Sequence, residues 1–109
     1  MKFEQIQRKD DYILTQRGAI LYNDESKQPR LSLPEGSTTK HVLSAGITRT
    51  GKPMATIQEE NEVVCYILPD WYLDWCQTCV GISLGLGVNL FPAYVEFTRK
   101  GNAYSADIL

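Results

Sequence analysis

Short runs of β-branched, aromatic and aliphatic residues, each closed by a glycine- or proline-bearing turn, set the main constraint on how this chain folds. Alternation at that spacing puts apolar side chains on one face of a strand, and the turns return the chain antiparallel. Tyr12-Ile13-Leu14-Thr15 and Ala19-Ile20-Leu21-Tyr22 read as two strands around Gln16-Arg17-Gly18. A second hairpin is predicted from His41 to Ile57, with Thr50-Gly51-Lys52-Pro53 at its tip. Glu62 to Leu68 reads as a strand buried on both faces and ended by Pro69. A last hairpin joins Tyr94–Thr98 to Ala103–Ile108 through Arg99-Lys100-Gly101-Asn102. The segment 23–36 collects Asn, Asp, Ser, Pro and Gly and is expected to be a surface loop. Pro29 and Pro34 exclude a central strand there, leaving Leu31-Ser32-Leu33 as a short edge strand at most.

One segment breaks the pattern. After Pro69, Asp70 is placed to cap a helix, and Tyr72, Trp75, Cys76, Cys79 and Val80 then recur at the spacing of a core-facing stripe. The helix is predicted over about 70–82, with a strand expected after Gly81, where Ile82, Leu84, Leu86, Val88 and Leu90 alternate. The expectation is therefore one domain over 1–109, built as a small antiparallel barrel or strongly bent sheet of five to seven strands with one α-helix. The order resembles that of five-stranded OB barrels, which commonly place a helix between their third and fourth strands.

Composition limits the partners. A formal net charge of −2 provides no overall field for a polyanion or a membrane surface, so contact with nucleic acid requires a local basic patch. The most apolar tract, Val80 to Val88, is interrupted by Gly81, Ser83, Gly85 and Gly87 and is too short to span a bilayer. Three cysteines and a charged N-terminal stretch argue against a disulfide framework, and a reducing, cytoplasmic setting is expected.

Trp75-Cys76-Gln77-Thr78-Cys79 resembles the redox pair of thioredoxin-like proteins, and the segment from Pro92 to Phe97 resembles the proline-led strand that faces such a pair. The chemistry requires the first thiol at a helix N-terminus, whereas a cap at Asp70 leaves Cys76 more than a turn inside. The separation of Cys79 from Pro92 is also too short for the crossover of that fold. Zinc bound by His41, Cys65, Cys76 and Cys79 would draw on only one closely spaced pair, so neither a metal nor a cofactor is expected. His41 is the single histidine, and its neighbours do not resemble a catalytic turn. Glu59, Glu60 and Glu62 read as a solvated turn, and Gly85-Leu86-Gly87 lacks the context of a nucleotide-binding loop. Nothing here specifies an enzyme.

Two binding surfaces remain. Leu14–Gly18, Ile47–Gly51 and Phe97–Gly101 share an apolar residue, a threonine, two polar residues and a glycine. Turn chemistry accounts for the pattern, yet the tips also carry Arg17, Arg49, Lys52, Arg99 and Lys100. Converging tips, with Tyr94 and Tyr104 beside them (and Tyr12 and Tyr22 flanking), would offer a basic, aromatic surface for single-stranded DNA or RNA. The alternative is a protein-interaction domain (adaptor, inhibitor, immunity or viral accessory protein) using Trp71, Tyr72 and Trp75, with a second copy among the possible partners.

Overall fold

The computed structural model describes residues 4–7, 11–15, 25–48, 50–88 and 90–109. Among these residues, seven strands form one antiparallel sheet: β1 (Glu4–Gln7), β2 (Asp11–Thr15), β3 (Gly36–Thr48), β4 (Pro53–Gln58), β5 (Val63–Ile67), β6 (Ala93–Lys100) and β7 (Ala103–Ile108). One helix, α1 (Leu73–Leu86), lies between β5 and β6 in the chain. The strand at 19–22 expected from the sequence lies outside the described residues. β1, which was not anticipated, pairs with β2.

β3 is the spine. It pairs with β4 along one edge and, on the other, with β6 through Gly36–Val42 and with β2 through Ala45–Thr48. A single 13-residue strand serves two partners on one edge because they use different stretches of it, and its register with β4 shifts between Val42 and Ser44, where the two stretches meet. Such an irregularity re-aims a strand without ending it. β7 hydrogen-bonds only to β6 among the described residues, and β5 does not meet it, so the sheet is not closed into a barrel.

Alternation sets the core. Val42, Ala55, Ile57, Val95 and Phe97 face α1, whose Tyr72–Val80 stripe is buried as its spacing predicts, except that Trp75 is half-buried. Met54, Cys65 and Ile67, the alternate positions on β4 and β5, form a second buried cluster.

The described part of the expected surface loop, residues 25–35, holds neither a strand nor an α-helix, and Leu31 and Leu33 within it are buried in the main cluster. In place of an edge strand there is a single parallel bridge between Arg30 and Ile67, with the Leu31 amide donating to the Ile67 carbonyl and the Ile67 amide to that of Pro29. β5 is fully buried only at Cys65 and Ile67, while Val63, Val64 and Tyr66 are half-buried, so burial of its two faces is partial. Finally, α1 is displaced from 70–82: Asp70–Tyr72 form a 3-10 turn without a side-chain cap, and the α-helix runs through the expected strand to Leu86. Burial of Cys79 and Val80 carries the helix past Gly81, because packing outweighs the roughly 1 kcal/mol that a helical glycine costs relative to alanine. It ends where Gly87 takes φ +66° and donates its amide to the Ser83 carbonyl. No helix among the described residues is long and apolar enough to cross a membrane.

Candidate interaction surface

The basic turns can be placed from the register of β3. Thr48, at the C-terminal end of β3, leads into Thr50-Gly51, whereas the tip of the β6–β7 hairpin follows Arg99, which pairs with Gly36 at the N-terminal end. These two turns therefore lie at opposite ends of a 13-residue strand. Arg17 and Arg49 lie outside the described residues. Both turns show the local chemistry that their sequence predicts. Gly51 has φ +86° and donates its amide to the Thr48 carbonyl, while Thr48 Oγ1 accepts from the Lys52 amide. Gly101 has φ +60°, as the first central position of a type II′ hairpin turn requires.

Of the residues proposed for nucleic acid, Lys52 is half-buried, Lys100 is exposed, and Tyr94 stacks on His41 at 4.6 Å, far along β6 from the turn. Arg99 is already engaged: its guanidinium donates to the Leu33 carbonyl at 3.1 Å and the Gly101 carbonyl at 3.3 Å, and sits 5.8 Å from the ring centroid of Tyr104. Glu35 completes this clasp by accepting the Gly101 amide on both carboxylate oxygens, at 2.9 and 3.0 Å.

The aromatic segment divides cleanly. Tyr72 is buried, and its hydroxyl donates to the carbonyls of Ser105 (3.1 Å) and Thr98 (3.4 Å), so it packs in the core. Burial pushes its phenol up to about 12. Trp75 is half-buried, edge-on to Phe91 and Phe97. Trp71 is 65% exposed and stacks on Tyr104 at 6.1 Å and 17°. Tyr104 in turn meets Tyr72 edge-on at 5.6 Å. The outer ring is thereby held against the sheet by a buried one.

Tyr104 lies on a strand with an unpaired outer edge. Ile108 and Leu109 are exposed, and no strand pairs with the outer edge of β7 among the described residues. Lys100 and Ala103 flank the two-residue turn, and the Leu109 amide donates to the Tyr94 carbonyl. In this ladder Ala103, Ser105, Asp107 and Leu109 bond inward to β6, and Tyr104, Ala106 and Ile108 present N–H and C=O groups outward. The sequence analysis missed this edge. Its only signal was that Ala103–Ile108 holds neither the lysine nor the proline that often guards an edge strand.

All three cysteines are buried. Cys76 is fully buried, and burial, reinforced by Cys79, pushes its thiol up to about 12; burial alone takes Cys79 to about 11. The described residues hold no group of three metal-binding side chains. Comparison with protein-family models, curated proteins and solved structures finds no match to this chain.

Proposed function

We propose that this chain is a non-enzymatic protein-interaction module that docks through the Trp71–Tyr104 surface. The observation that carries the reading is a tryptophan left 65% exposed while its neighbours Tyr72 and Trp75 enter the core. Large rings fixed in place lose little entropy on binding and serve as anchors. Tyr104 holds Trp71 from below, and Ile108 is exposed further along the same face of β7.

The element order is read as OB-like. Support comes from β3 pairing with both β4 and β6, and from α1 lying between β5 and β6 in the chain. Single-stranded nucleic acid ranks second, because the two described basic turns occupy opposite ends of β3 and Arg99 is engaged within the fold.

Affinity capture from cells expressing the tagged chain tests the choice. The expected result is a specific protein retained by the wild type and lost from W71A, with no salt-sensitive binding to labelled oligonucleotides. Oligonucleotide binding that W71A leaves intact would overturn the reading.

A further inference from the structure

The outer edge of β7 is complementary to itself. Its outward backbone groups belong to Tyr104, Ala106 and Ile108, so a second β7 can add antiparallel only in registers that pair even positions with even ones. Centring on Asp107 sets two carboxylates opposite each other, which is unfavourable. Centring on Ala106 sets Tyr104 opposite Ile108 of the other copy twice, an aromatic–β-branched pairing on the face that carries α1.

The same register matches the opposite face. Asp107 is the only charged side chain of β7, and it falls opposite Ser105 of the second copy. Beside Ser105 lies a shallow hollow of about 160 Å³, lined by Thr98, Lys100, Ala103, Tyr104 and Ser105. The small Ala103 side chain leaves the exposed Lys100 ammonium room to reach an incoming carboxylate. Each copy thus offers one acid and one basic hollow, related by a twofold axis through Ala106.

We infer that the partner is a second copy of this chain, joined by antiparallel pairing of β7 with β7 centred on Ala106, with Asp107 of each copy entering the Lys100–Ser105 hollow of the other. This rests on the proposed interaction role and identifies its partner. The two sheets become one continuous sheet, and Trp71 closes over the seam beside Tyr104.

Sedimentation equilibrium over a concentration series tests it with three exposed-strand variants, each checked for an unchanged circular dichroism spectrum. Ala106→Pro removes both central bonds between copies, while its own amide takes no part in the β6 ladder, and is expected to raise Kd at least about ten-fold. Ser105→Lys places a cation opposite Asp107 twice per dimer and is expected to lower Kd roughly five-fold; Ser105→Asp raises it by a comparable factor. A chain that stays monomeric at every concentration, or a dimer indifferent to both Ser105 variants, would overturn the inference. If the chain is monomeric but captures a different protein through Trp71, the self-pairing fails and the interaction role stands. If W71A also captures normally, both fail.

Discussion

Trp71 lies almost parallel to Tyr104, 6.1 Å between centroids, and this pair joins the 3-10 turn before α1 to the outermost strand of the sheet. Because Trp71 remains exposed, its removal separates binding from stability. Trp71→Ala should cost less than about 1.5 kcal/mol in urea unfolding, the scale of a surface ring pair, while weakening partner binding by about 2 kcal/mol or more. Parallel loss of stability and binding would assign Trp71 to the fold.

Tyr72 is the counterpart. Tyr72→Phe removes the hydroxyl that bonds to Ser105 and Thr98 and should cost about 1 kcal/mol. Tyr72→Ala also empties the space against Phe97 and should cost about 3–5 kcal/mol by chemical denaturation.

Much of this was legible in the sequence. Alternation located β4 through β7 within a few residues but only the part of β3 from His41 onward, missing its start at Gly36, and three- and four-residue spacing identified the buried face of α1. The end of α1 was not legible, because Ile82 to Leu90 fit a strand pattern that the helix overrides, leaving Ile82 and Leu86 exposed. Nor were the edges, since only the pairing of β3 with β6 shows that β7 is outermost. The split between Trp71 and Tyr72 was hidden for a related reason: adjacent residues of a turn diverge, and only the turn's position over β7 says which one enters the core.

The segment before β3 should behave as core. Leu31→Ala removes a side chain packed in the main cluster and should cost about 2–5 kcal/mol, which thermal or urea unfolding would read directly. A cost near zero would return the segment to the status of a surface loop.

The buried thiols predict a pH dependence. Cys76 and Cys79 bind their protons more tightly when folded, so the unfolded chain loses protons first as pH rises. Their contribution is complete below the ordinary thiol value of 9.0 and declines as pH rises from there toward about 12. The melting temperature should fall across that alkaline window, less so in Cys76→Ala measured against its own neutral-pH value. Native thiols should also resist alkylation at neutral pH and react once urea unfolds the chain.

The most direct measurement is photo-crosslinking in cells from p-benzoylphenylalanine at position 71, with Gln77, exposed elsewhere on α1, as the control site. The account predicts a discrete protein adduct from position 71 that is absent from position 77, whose mass reveals a second copy or another protein. Equal yields at the two positions, or an adduct destroyed by nuclease, would contradict it.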